Sequence, residues 1–70
     1  MTLAMVPVGE TRQIEKLKGR DDMKKHLNNL GFVEGGEVSV VSDTPSGIIL
    51  QCKGVRLAVD RTLASRIIVK

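Results

Sequence analysis

Cys52 and His26 have the widest chemical repertoire in this chain, and each is the only residue of its type. A thiolate or an imidazole can hold a transition metal, but a structural zinc site takes four such ligands at recognisable spacing. Here the cysteine has no cysteine partner, and the histidine lies on a segment that reads as a helix. Cys52 shares strand parity with Ile48 and Leu50, a setting in which a free cysteine packs as a small hydrophobe. His26 precedes Leu27 at the margin of an apolar helical stripe, so it reads as a half-exposed surface histidine. Met1, Met5 and Met23 are not spaced as a soft-metal cluster, and Met23 is expected in the core. Asp21, Asp22 and Asp43 fall where turns and helix starts use acids. No metal site and no cofactor is expected.

The glycines could cradle a phosphate if they were spaced for it. Gly31, Gly35, Gly36, Gly47 and Gly54 match neither G-x-x-x-x-G-K-[ST] nor G-x-G-x-x-G. They read as turn residues. No serine, histidine and aspartate form a defensible triad, and the chain is not expected to be an enzyme.

Seventy residues make one domain, residues 1–70, near the lower size limit for a core without staples. With 41% hydrophobic residues and a single aromatic, that core must be built from Val, Ile and Leu. One cysteine cannot form an internal disulfide and fits a reducing, cytosolic compartment. Apolar runs such as Ile48-Ile49-Leu50 fall far short of the roughly 20 residues that cross a bilayer. The opening MTLAMVPVG lacks the basic n-region and cleavage site of a signal peptide, and is expected to be part of the fold. The net charge is +3, with cations interleaved among acids: Glu15 beside Lys16, Asp22 near Lys24 and Lys25, Asp60 beside Arg61. A nucleic-acid surface would combine a basic stripe with aromatic stacking platforms, and Phe32 is the only aromatic residue.

The elements that would position these residues can be read in order. Glu10–Leu17 is the first candidate strand, although Arg12 and Lys16 share the parity of Ile14, and Gly19 ends it. Arg20-Asp21-Asp22 reads as a helix start, with an aspartate available as a cap and against the dipole. Met23, Leu27 and Leu30 recur at i, i+4 and i+7 as one apolar stripe. Gly31 is placed to close that helix in a left-handed conformation, so that Phe32 can fold back onto Leu27 or Leu30. Gly35-Gly36 reads as a turn, Glu37–Val41 as a strand, and Ser42–Gly47 as a loop. Ile48–Lys53 and Val55–Val59 read as strands joined at Lys53-Gly54, with Val55, Leu57 and Val59 on one side. Asp60 is placed to cap a single turn, Arg61–Ser65, before a last strand, Ile67–Val69. About five short strands, with one helix after the first strand, predict a mainly β fold: a small, partly open barrel of the SH3 kind.

The order of these pieces is specific. The run Leu27-Asn28-Asn29-Leu30-Gly31-Phe32-Val33-Glu34-Gly35-Gly36-Glu37-Val38 resembles the L-x-x-L-G-[FL]-x-x-G-x-x-V signature of the ferrous iron transport protein A (FeoA) family. Upstream, Leu3, Val6 and Gly9 resemble its L-x-x-[LV]-x-x-G opening. Downstream, Pro45-Ser46-Gly47 is similar to its P-x-G loop, Gly54 and Ala58 to its G-x-x-x-A hairpin, and Ala64, Ile67 and Val69 to its A-x-x-I-x-V ending. The resemblance spans nearly the whole chain. It departs at Leu63, where members often carry an acid, and at Ile48-Ile49, where they often carry a second proline.

The resemblance implies an SH3-like barrel acting as an adaptor or regulator of FeoB, the membrane protein that has a GTP-binding domain and moves ferrous iron inward. It implies a cytoplasmic location at the inner face of the membrane, through the partner alone, with no nucleic acid bound and room for weak self-association. Exposure points to Asn28, Asn29, Lys53 and Arg56 as partner contacts. The competing readings are a nucleic-acid-binding barrel using Lys53, Arg56, Arg61 and Arg66, and a metal-responsive barrel related to the C-terminal domain of iron-dependent repressors.

Overall fold

Five antiparallel strands form one unclosed sheet, described for residues 1–70 by a computed structural model. The strands are β1 (Thr11–Leu17), β2 (Glu37–Thr44), β3 (Gly47–Cys52), β4 (Val55–Val59) and β5 (Ile67–Val69), in the spatial order β4-β3-β2-β1-β5. Helix α1 (Asp21–Asn29) joins β1 to β2, and the one-turn helix α2 (Arg61–Ala64) joins β4 to β5. The architecture is the SH3-like, mainly β fold that the strand pattern predicts.

The poor alternation of β1 has a geometric answer. Its register against β5 shifts between Ile14 and Lys16, a bulge that adds one residue to β1. Ile14 and Leu17, three positions apart, are thereby both brought into the core at 1% and 4% exposure. The first half of β1 pairs with β2 and the second half with β5, which curls the sheet toward a barrel.

The junction after α1 follows the sequence closely. Gly31 has φ 107°. The Phe32 N–H donates to the Leu27 carbonyl at 3.0 Å and the Gly31 N–H to the Asn28 carbonyl at 3.0 Å. These are the two bonds of a Schellman closure, which satisfy carbonyls left free at a helix end. Leu27 and Phe32, the residues it brings together, are both fully buried, and Met23 and Leu30 pack half-buried against the same core.

Several expectations require correction. No aspartate caps α1: the capping position is Arg20, which makes no side-chain bond, and Asp21 is already helical. Asp21 and Asp22 lie in the first turn, where their charge opposes the dipole. Ser42–Thr44 is not loop. It extends β2, pairing Ser42 with Ile49, Asp43 with Ile48 and Thr44 with Gly47, so that Pro45-Ser46 alone makes the turn. A bulge between Val40 and Ser42 permits this, because it resets the register after the hydrophobic pair Val40–Leu50. Lys53 belongs to the two-residue turn with Gly54, at φ 53° and 77°, and not to β3. Both central residues at positive φ are what a type I′ hairpin needs. Val55 keeps the parity of Leu57 and Val59 but is 55% exposed, since it lies at the hairpin end of β4 beyond the packed interior. The second turn ends at Ala64, with Asp60 Oδ1 accepting from the Leu63 N–H at 2.7 Å as its cap.

The N-terminal segment is part of the fold. A 3₁₀ turn at Leu3–Met5 buries Leu3, and Val6 follows it into the core. Thr2 bridges Ile68, and the Val69 N–H donates to the Met1 carbonyl at 2.8 Å. The outer edge of β5 is thus covered.

An added Cβ at Gly31 would meet no atom within 4 Å, so the cost of a side chain there is conformational alone. Urea unfolding is expected to show Gly31→Val destabilised by about 1–2 kcal/mol or more, with Gly31→Asn milder because asparagine tolerates the left-handed region. Phe32→Ala is expected to cost roughly 3–5 kcal/mol, most of what a domain of this size has.

Candidate functional site

The glycines and apolar residues of the signature turn out to position the surface more than to form it. Leu27, Phe32, Val38 and Ile67 are fully buried and Leu30 is half-buried. Gly31, Gly35 and Gly54 sit at positive φ. Gly47 is required by space: an added Cβ would lie 2.7 Å from the Val59 carbonyl oxygen. Ala58 is the exception, since its side chain is exposed.

Cys52 connects the two parts of the predicted contact surface. Its thiol, buried to 4% exposure, donates to the Gly31 carbonyl at 3.2 Å. This bond ties the end of β3 to the closure of α1, so Lys53, the next residue, lies at the same end of the barrel as the Asn28–Asn29 corner. Asn28, Asn29, Lys53 and Arg56 are all exposed. Asn28 lines a groove of about 290 Å³ with Leu17, Lys24, Val33 and Glu34, and Asn29 does not line it. Arg56 lies farther along the hairpin, on β4 opposite Gln51.

The four cations of the nucleic-acid reading do not form one free stripe. Arg61 is paired with Asp43, and Arg66 is half-buried. Phe32 is at 0% exposure and cannot stack on a base. His26 is exposed on α1, and Leu63 is half-buried against the core.

A second surface escapes sequence reading. Thr44, Gly47, Ile49, Ala58 and Asp60 line a cleft of about 360 Å³ beside β4. Its signal was the alternation of β3 and β4, which assigns Ile49 and Ala58 to the outer face opposite one another. What the alternation does not reveal is that β4 ends the sheet.

A FeoA domain model matches residues 1–70, the whole chain. The chain belongs to the FeoA domain family. This family is associated with ferrous iron transport, and its members are small SH3-like proteins rather than a known enzyme family. Among solved structures, the chain is similar to an iron uptake regulatory protein (FeoA), at 25% identity and TM-score 0.92, covering 99% of this chain and 92% of that one. It is also similar to Stenotrophomonas maltophilia FeoA complexed with zinc, at 29% identity and TM-score 0.86, covering 100% and 89%. ScaR with bound Zn²⁺ shares the fold alone, at 17% identity and TM-score 0.86, with the FeoA domain covering 36% of that chain. A search of curated proteins gives no match. No helix of the chain is long and apolar enough to cross a membrane.

Two measurements follow from this geometry. Gly47→Ala is expected to lower stability by about 1–3 kcal/mol in urea unfolding, because the colliding atom is backbone and cannot rotate away. Cys52 spends its proton on a backbone carbonyl and His26 stands apart on α1. Anaerobic calorimetry of the isolated chain is therefore expected to give no stoichiometric ferrous iron binding at micromolar affinity or tighter.

Proposed function

We propose that the chain is a non-catalytic adaptor or regulator of a FeoB-type ferrous iron transporter, acting at the cytoplasmic face of the membrane through that partner. The observation that carries this reading is the division between a sealed interior and an exposed corner. The thiol of Cys52 is bonded to Gly31, Phe32 is in the core, and His26 stands exposed without two further ligand side chains grouped around it. What remains exposed is polar and cationic: Asn28 and Asn29 at the end of α1, and Lys53 and Arg56 on the β3–β4 hairpin. Such a surface suits contact with another protein. The solved FeoA of Stenotrophomonas maltophilia is described as possibly acting as a ferrous iron transport activating factor, which supports the same class of role.

The alternatives separate by salt. A barrel bound through several phosphates loses affinity steeply as salt rises, whereas a protein contact with an apolar component responds less. Deleting the chain is expected to lower ferrous iron uptake without lowering transporter abundance, and a tagged chain is expected to co-purify the transporter from membranes. Normal uptake after deletion, together with sub-micromolar binding to DNA or RNA at physiological salt, would transfer the assignment to the nucleic-acid reading.

A further inference from the structure

The two ends of the open sheet are not alike. The outer edge of β5 is covered by Met1 and Thr2, through the bridge to Ile68 and the bond from the Val69 N–H. No segment pairs with the outer edge of β4.

The register specifies what that edge presents. Cys52 and Val55 flank the two-residue turn, which makes them a hydrogen-bonded pair in an antiparallel hairpin. Alternation then bonds Leu50 with Leu57 and Ile48 with Val59. The pairs Gln51–Arg56 and Ile49–Ala58 are the unbonded kind, so the N–H and C=O groups of Arg56 and Ala58 turn away from β3, toward solvent. Free groups spaced two residues apart are the template for an added strand.

The side chains beside this template indicate its occupant. On the outer face, Ala58 and Ile49 line the cleft of about 360 Å³ together with Thr44 and Asp60. Arg56 stands exposed on the side of the turn, where Lys53 is exposed as well. On the inner face, Leu57 is half-buried and Val55 is 55% exposed, apolar surface that an added strand would cover. Neither Arg56 nor Lys53 makes an ion pair, whereas Arg12 and Arg61 do. A second copy of β4 carries no carboxylate within the strand to meet these cations, and the nearest, Asp60, accepts from the Leu63 N–H as the cap of α2.

We infer that β4 accepts an extended segment of the partner by strand addition, and that this segment sets a carboxylate beside Arg56 and Lys53 and an apolar side chain in the cleft at Ala58. The identity of the partner rests on the adaptor reading; the mode of docking rests on the sheet. The two unpaired cations then favour an acidic strand over a basic one.

Amide hydrogen exchange followed by NMR tests the docking mode. The probes are the cytosolic part of the transporter, a short blocked peptide of valines and glutamates, and the same peptide with lysines replacing the glutamates. In the free chain the Arg56 and Ala58 amides are expected to exchange fast and those of Leu57 and Val59 slowly. The transporter part and the acidic peptide are each expected to slow Arg56 and Ala58 by about tenfold or more, while the lysine peptide does not. Ala58→Pro removes only an outward N–H, which an edge strand tolerates, and Arg56→Glu reverses an exposed charge. Both variants are expected to unfold like the parent chain and to lose the protection, read at residue 56 in Ala58→Pro and at residues 56 and 58 in Arg56→Glu. If the transporter part binds while both amides stay fast, strand addition is wrong and the adaptor reading stands. If the acidic peptide protects them and the transporter part does not bind, the edge is as inferred and the adaptor reading fails. Protection that grows with protein concentration alone, equal protection by the lysine peptide, or protection by no probe overturns the inference.

Discussion

The hydrogen bond from the Phe32 N–H to the Leu27 carbonyl is the constraint on which the rest of the molecule depends. It forms only if Gly31 adopts positive φ, and it reverses the chain within a single residue after α1. That reversal places the only aromatic side chain, at 0% exposure, among the aliphatic residues of a core that has no other large ring to fill it. It also leaves the Gly31 carbonyl free for the Cys52 thiol, so a single turn fixes helix to sheet from both sides. A domain of 70 residues buries too little surface to tolerate slack here.

Much of this was legible because the signals were local. The stripe Met23, Leu27, Leu30 and the glycine after it name a helix and its end from neighbouring residues alone, and Ile48, Leu50 and Cys52 name a buried face by parity. Where the sequence misled, a distant partner had overruled a local propensity. Ser42, Asp43 and Thr44 carry turn chemistry, yet the hairpin through Pro45-Ser46 pairs them with β3 and holds them extended. The disorderly parity of β1 concealed a bulge whose position is set by β5, some fifty residues later. The missing cap on α1 has a local cause: Arg20 is extended and Asp21 already helical, a one-residue difference that composition does not resolve.

The candidate surface was legible in a different proportion. Exposure of Asn28, Asn29, Lys53 and Arg56 follows from polarity, but the nearness of Lys53 to the helix corner requires the Cys52–Gly31 bond, which no sequence pattern specifies. The signature itself misdirects a search for function. Gly31, Gly35 and Gly54 fix backbone angles, Gly47 gives way to the Val59 carbonyl, and Leu27, Phe32, Val38 and Ile67 fill the interior. A motif that identifies a family can therefore be largely about folding, with most of the exposed side chains falling between its fixed positions.

Ala58 is where these two roles meet. It belongs to the signature, yet it is exposed, and its small side chain helps to leave the cleft beside Ile49 open. Nothing in the packing of the core requires a small residue on the outer face of an edge strand, where a β-branched residue would suit the pleat better. Its backbone groups point to the uncovered side of the sheet, and those of its neighbour Leu57 bond inward to Leu50. The opposite sheet end spends its N-terminal residues on covering β5. An unclosed barrel that covers one edge with its own chain and leaves the other flanked by two unpaired cations has made its edges unequal. That inequality requires neither a catalytic group nor a bound metal, and it gives a small rigid domain one side from which another polypeptide can continue its sheet.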